Sequence, residues 1–154
     1  MILLMEITRI LTMKTTENFE IISSFIKDMS SETPDVQTFL FVQEKISRYQ
    51  LNIDINSKAI KNGIVEVNTI LKFTDKPEVL KKSHFEIIYT SVVRINEKVS
   101  DKKEMEKIIL CDVQNKIYPT LEKIFINLLK DSGFPGIKFE KKVDFTELYK
   151  HKSN

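Results

Sequence analysis

The chain has 154 residues, of which 42% are hydrophobic and 30% charged, a balance that excludes a disordered protein and suits one soluble domain. With 24 Lys and Arg against 22 Asp and Glu, the net charge of +2 gives no electrostatic ground for nucleic acid or an anionic membrane as partner. One cysteine, Cys111, excludes an internal disulfide framework and fits a reducing, cytoplasmic compartment.

The N-terminus reads MILLMEITRILTM. Its apolar run is broken at Glu6, no basic residue precedes it, and no small-residue cleavage site follows, so it makes a poor signal peptide. No stretch is long enough to span a bilayer. Met13 is an alternative start, and residues 1–12 are expected to be loosely attached or not made. The expected organisation is a flexible segment over 1–18, a folded domain over 19–150 and a tail over 151–154.

Residues 19–29, FEIISSFIKDM, read as a strand with Phe19, Ile21 and Phe25 on one face. The polar break SSETP follows, and 35–46 reads either as a short helix or as an irregular crossing segment. From Tyr49 the alternation is clean: Leu51, Ile53 and Ile55 point one way, Asn52, Asp54 and Asn56 the other. Asn62-Gly63 is a hairpin signal, because both residues tolerate positive φ. A strand over about 64–73 and another over about 84–96 follow, the latter with Phe85, Ile87, Tyr89, Val93 and Ile95 on one face. Short connections predict an antiparallel meander of four strands.

The period then changes. Apolar residues from Met105 to Leu129 recur at three- and four-residue spacing, the stripe of a helix. Pro119 lies inside it and is expected to kink the helix or start a new one near Ile117-Tyr118. Gly133 suits a C-cap, and Asp144 can cap a last short helix with Glu147 at capping-box spacing. The fold class is therefore α+β, a four-stranded antiparallel sheet covered on one face by C-terminal helices.

No catalytic constellation emerges. There is no glycine-rich phosphate loop, His84 and His151 lack metal-ligand spacing, and Cys111 carries no nucleophile signature and reads as a buried thiol on a helix. Neither a cofactor nor a metal is expected. The scattered lysines read as solvated surface, since most alternate with acidic or apolar neighbours. The remaining clue is the set of aromatic residues in and after the long helix. A sheet with one helical layer has limited room for them, so some belong at an oligomer seam or in a groove between helices and sheet.

Two stretches resemble the SecB protein-export chaperones. "FIKDMSSETP", 25–34, is similar to that family's first-strand motif, and "QNKIYP", 114–119, with "SGFPGIKF", 132–139, and "VDFTELY", 143–149, to its C-terminal signature. The resemblance spans about residues 20–150 in outline and reaches motif level at the two ends. It implies a homotetramer, a dimer of dimers, that holds unfolded preprotein clients in apolar grooves without ATP and passes them to the SecA motor. Carried over by position, Asp28 and Glu32 match acidic residues that face SecA. Phe85, Tyr118, Phe125, Phe134 and Phe139 are the groove candidates, on aromatic character and position. The chain departs from the family in its slightly basic charge, in Ile88 near another acidic docking position, and in "SVVRINEKVSDKKEMEK" where small residues usually follow the fourth strand.

Three other functions fit the same sequence. One is a SecB-like chaperone dedicated to a single client, such as the antitoxin of a toxin–antitoxin system. Another is a small-ligand-binding or catalytic α+β oligomer, which needs polar groups converging in a pocket. The third is a dimerising domain with no client groove.

Overall fold

The computed structural model describes residues 18–153. The expected loose segment at 1–12, the alternative start at Met13 and all but the last residue of the 1–18 segment lie outside them. The alternating stretches become strands: β1 (Phe19–Glu32), β2 (Gln50–Lys61), β3 (Ile64–Thr74) and β4 (His84–Ile95). Between β1 and β2 lie a helix, α1 (Val36–Lys45), and one 3-10 turn. After β4 come α2 (Lys102–Lys107), a π-helical stretch (Ile108–Asp112), α3 (Val113–Asp131) and α4 (Phe145–Ser153).

The ambiguous segment 35–46 is settled by its first residue. Asp35 Oδ1 accepts from the Thr38 amide at 2.7 Å, an N-cap that starts α1. That backbone hydrogen bond holds the Asp35 carboxyl below its ordinary range. Because a helix intervenes, β1 and β2 are not joined by a tight turn. The sheet order is β1-β4-β3-β2, all antiparallel. The expected meander therefore holds for β2, β3 and β4 only. β1 sits on the far side of β4, and α1 carries the chain from one edge of the sheet to the other.

The hairpin at Asn62-Gly63 forms as expected, with Gly63 at φ +73. β1 departs from strict alternation. Register shifts fall between Ile21 and Ser23 and between Ile26 and Asp28. The first adds a residue and turns the following side chains over. Phe19 and Ile21 lie opposite Ile95 and Val93 on the helix side, whereas Phe25 lies opposite Thr90 on the uncovered face. The expected grouping of Phe25 with Phe19 and Ile21 is corrected accordingly.

The helices cover the middle of one face. Val67, Leu71 and Phe73 of β3 and Phe85, Ile87, Tyr89 and Val93 of β4 pack with Ile108, Val113, Ile117, Leu121, Phe125 and Leu129. One polar bolt crosses this core. Gln114, fully buried, accepts from Thr69 Oγ1 at 2.9 Å and donates to the Ile109 carbonyl at 3.2 Å, fixing α3 to β3 and to the π-helical stretch. α3 runs unbroken through Pro119, which is exposed. Its neighbours Ile117, Tyr118 and Leu121 are buried, and their packing holds the turn that lacks an amide donor. The irregularity of this helical run is the π-helical stretch instead. The final helix reaches Ser153, into the expected tail.

α3 ends in a Schellman motif. The Gly133 amide donates to Lys130 O at 3.1 Å and the Phe134 amide to Leu129 O at 2.9 Å, with Gly133 at φ +103. A Cβ on Gly133 would stand 2.6 Å from Phe39 Cε2 of α1, so the glycine also admits that ring. At the same end of the sheet Arg48 and the buried Asp75 pair at 2.7 Å. Burial pushes the Asp75 carboxyl up, but the Arg48 and Lys76 partners outweigh it and leave its pKa lowered. Gly133→Ala is expected to lower stability by about 2 kcal/mol, from positive-φ strain and the displaced Phe39 ring. Gly136→Ala, with open space around its Cβ position, is expected to be near neutral. Urea denaturation of the two variants checks this contrast.

Candidate functional site

The aromatic residues do converge, but mainly on one another. Phe85 packs edge-on against Phe134 at 5.5 Å and lies 6.3 Å from Phe73. Phe73 packs on Phe139 at 5.6 Å, and Phe139 stacks on Phe125 at 6.3 Å. Tyr49 flanks the middle of the run, 5.3 Å from Phe73, and Phe39 closes the end at Phe134, also at 5.3 Å. The structure thus brings four of the five groove candidates into one spine of rings. Phe85, Phe125 and Phe134 are 1%, 0% and 4% exposed, so in this protomer their rings are core. Phe125 and Phe134 supply apolar surface with which the one helical layer covers the sheet. Phe139 remains half-buried at the margin of the spine. Tyr118 stands apart and packs edge-on against Phe145 at 5.1 Å.

Open apolar surface occurs elsewhere. β2 is an edge strand, so the outward amides and carbonyls of its backbone lack a neighbouring strand. Beside it lies a cleft of about 180 Å³ lined by Ile53, Ile55, Leu110, Phe145, Leu148 and Tyr149, with Asp54 also at its wall. β2 supplies one wall, the π-helical stretch its Leu110, and α4 the other wall. Leu148 is 51% exposed there. Ile53 and Ile55 share the face that alternation gives them, and the covering helix stops short of this edge and leaves them half-buried.

α4 is short, nine residues, and such a helix is not stable alone. Contacts to the rest of the domain hold it. Phe145, 2% exposed, plugs the space beneath it. Cys111 Sγ meets Thr146 Oγ1 at 3.3 Å, and Tyr149 donates to the Lys103 carbonyl at 3.3 Å. Its N-terminus is capped by Asp144, whose Oδ1 accepts from the Glu147 amide at 3.1 Å, as the spacing predicted. Full burial of a phenylalanine contributes about 3 kcal/mol, so Phe145 dominates.

On the other side of Phe145 lies a second cleft, about 440 Å³, between α3 and the returning chain. Tyr118, Pro119, Glu122, Val143 and Phe145 line it, with Asn115 and Lys142 at its walls. The Tyr118 hydroxyl is enclosed there with the Glu122 carboxylate beside it. Burial, and next the Glu122 carboxylate, push its pKa well above the ordinary phenol range.

The uncovered face of the sheet is more polar. Asn68 donates to Asn56 Oδ1 and to Glu66 Oε2, both at 2.9 Å, and accepts from Thr90 Oγ1 at 2.7 Å, a ladder across β2, β3 and β4. Asp28 and Glu32 are exposed on this face, opposite Ile88 and His84. Glu32 borders a shallow cleft of about 350 Å³ that Ser30, Lys72, Thr74, His84, Phe85 and Glu86 also line. Among the described residues no group of His, Cys, Asp and Glu is arranged to hold a metal ion, and no helix is long and apolar enough to cross a membrane.

Fold and surface together define an α+β domain with apolar clefts at the margins of its helical layer. The profile of the family described as preprotein translocase subunit SecB matches residues 12–154. A putative protein-export protein SecB of Pelagibacter ubique is 76% identical over 139 residues, covering 90% of this chain and 99% of that protein. The protein-export protein SecB of Methylocella silvestris is 26% identical over 129 residues, covering 83% of this chain and 78% of that protein. The chain belongs to the SecB family. Among solved structures it is similar in fold to the Mycobacterium tuberculosis Rv1957 SecB-like chaperone, in complex with a ChAD peptide from the Rv1956 HigA1 antitoxin. The TM-score is 0.56 at 11% identity, over 88% of this chain and 95% of that one.

Phe145→Ala is expected to lower stability by about 3 kcal/mol and to free α4 first. Amide exchange should then rise over 145–153 before it rises in the sheet.

Proposed function

We propose that the protein is a holdase chaperone for protein export. It binds unfolded preproteins without ATP, catalyses no reaction, uses no cofactor and acts in the cytoplasm. The observation that carries this reading is the cleft beside β2: an unpaired strand edge next to exposed apolar side chains. An unfolded chain offers free backbone groups and apolar side chains. The edge can take the first by strand addition and the Ile53, Leu110 and Leu148 cleft the second. Backbone pairing is indifferent to sequence, so many clients can share the site. Phe139 and Tyr118, at the margins of the helical layer, are the remaining groove candidates from the aromatic set.

Assembly follows from the other exposed apolar residues. β1 is the opposite edge strand and exposes Ile22, Phe25, Ile26 and Met29. α1 exposes Val36 and Leu40. Two separate apolar surfaces on one protomer support a dimer of dimers, one seam along each. Four protomers place several clefts along one client and raise the overall affinity.

Delivery to SecA is assigned to the uncovered face through Asp28 and Glu32. Ile88 beside Asp28, and the near-neutral charge of the chain, favour a second reading in which the protein serves one client, such as an antitoxin.

Light scattering and an ATP-free aggregation assay with a reduced, unfolded client test the proposal. The expected result is a tetramer that suppresses aggregation near stoichiometric ratio, with Leu148→Asp several-fold weaker and still folded. Full suppression by Leu148→Asp would remove the β2 cleft from the mechanism. An Asp28→Lys, Glu32→Lys double variant should lose capture of SecA and keep client holding. Recovery of one dominant client from cells, with no SecA, would select the second reading.

A further inference from the structure

The connection from β3 to β4, residues 75–83, reads DKPEVLKKS and lies in the wall of none of the clefts described above. Its Leu80, 93% exposed, is the most open large apolar side chain among the described residues. A single exposed leucine means little by itself. This one is held out on a braced loop. At the first end the buried Asp75 pairs with Arg48 at 2.7 Å and accepts from the Lys76 amide at 2.8 Å. At the other end the buried Ser83 is tied three times. Its amide donates to the Tyr49 hydroxyl at 2.9 Å, its carbonyl accepts from that hydroxyl at 3.1 Å, and its own hydroxyl meets Thr33 Oγ1 at 2.7 Å. Between the braces the Val79 amide donates to the Lys76 carbonyl at 3.1 Å, and the Lys82 ammonium reaches the same carbonyl at 3.4 Å. The turn so formed presents Leu80 as a tip.

The charges around the tip select what it meets. The small net charge of the whole chain conceals a local surplus. Lys76 and Lys81 are exposed and Lys82 is half-buried, so lysines flank Leu80 on both sides. Asp75 is committed to Arg48. Glu78 within the loop and Asp35, which feels the charge of Lys81 from the start of α1, oppose the lysines and leave the loop moderately cationic. A protein partner is held by a broad, matched surface, and a convex tip with one apolar side chain offers none. A lipid interface is a plane. It takes an apolar tip among its headgroups and sets the lysines beside it against anionic phosphates, with their methylene stems along the boundary.

We propose that the 75–83 loop touches down on an anionic lipid surface, with Leu80 entering the headgroup layer and Lys76, Lys81 and Lys82 against the lipid phosphates. The contact is peripheral and leaves the fold unchanged. It goes beyond the holding of clients, because it gives the protein a place to dock on a membrane through its own residues. One loop binds weakly, and the several loops of the proposed tetramer sum their contacts wherever they face the same surface.

The test sediments the full-length protein, without client or partner, with vesicles of phosphatidylcholine alone or with about one-third phosphatidylglycerol. Binding to the anionic vesicles should be at least about fivefold tighter, a gap that narrows with salt. Leu80→Ser should weaken that binding several-fold. A Lys81→Gln, Lys82→Gln double variant should bring it near the level of neutral vesicles, and Glu78→Gln should strengthen it. All these side chains lie at the surface, and circular dichroism checks the folding. Leu80→Ser should still suppress client aggregation, and Leu148→Asp should still bind vesicles. Equal binding to the two kinds of vesicle, no binding to either, or full binding by the lysine variant would overturn the docking loop and leave the holdase reading intact. Loss of SecA capture by the loop variants, in a protein that ignores vesicles, would show that the tip faces a protein and would likewise overturn the lipid assignment. Vesicle binding as expected, with no suppression of aggregation by the unaltered protein, would sink the holdase reading alone.

Discussion

The spine of rings through Phe73 and Phe85 is the contact on which the rest of the structure depends. These residues sit opposite one another on the central strands, and every layer of the domain reaches them. The chain leaving α1 arrives through Tyr49, the C-terminal turn of α3 through Phe134, and the returning segment through Phe139, which also meets Phe125 of α3. Edge-on and tilted rings contribute beyond their buried area, and the arrangement fixes one end of the helical layer on β3 and β4. With the layer fixed there, it cannot also cover the edges. β1 and β2 are left with apolar side chains half out of the core, and the clefts open where the layer ends.

The consequence for function is a division between a rigid centre and usable margins. The centre carries the bolt of Gln114 and the fully buried aliphatic residues, and it has no open surface for a client. The margins carry the free backbone of β2, the exposed Leu148, and the space around Tyr118. α4 stands between the two clefts, held mainly by the one plug of Phe145. A client that entered both clefts would run past this helix, with backbone pairing on one side and the cleft at Tyr118 on the other. Weak, sequence-tolerant contacts summed in this way suit a protein that must hold many chains and let them go.

Much of this was legible from the residues alone. Period-two alternation located β2, β3 and β4, Asn62-Gly63 placed the hairpin, and Gly133 marked the end of α3, because each is a local property of backbone and pattern. The order of the strands was not legible, since nothing in 19–32 says which edge it will join. Nor was the register shift near Ser23, which sends Phe25 to the other face. The groove candidates were chosen by aromatic character, and that criterion does not report depth: Phe85, Phe125 and Phe134 are the rings the core needs. The site at Tyr118 was half legible. Tyr118 and Glu122 have the spacing of helix neighbours, but the cleft exists only because 142–145 returns beside them. The β2 cleft required knowing that β2 is an edge and that α4 lies beside it.

The most direct test of the account is hydrogen exchange, followed by mass spectrometry, of the full-length protein with and without a saturating unfolded client. If the client adds along the free edge, the amides of β2 that face outward gain protection together with those of α4, while the central strands β3 and β4 are unchanged. Protection confined to β1 and the uncovered face, with β2 and α4 exchanging as in the free protein, would contradict it.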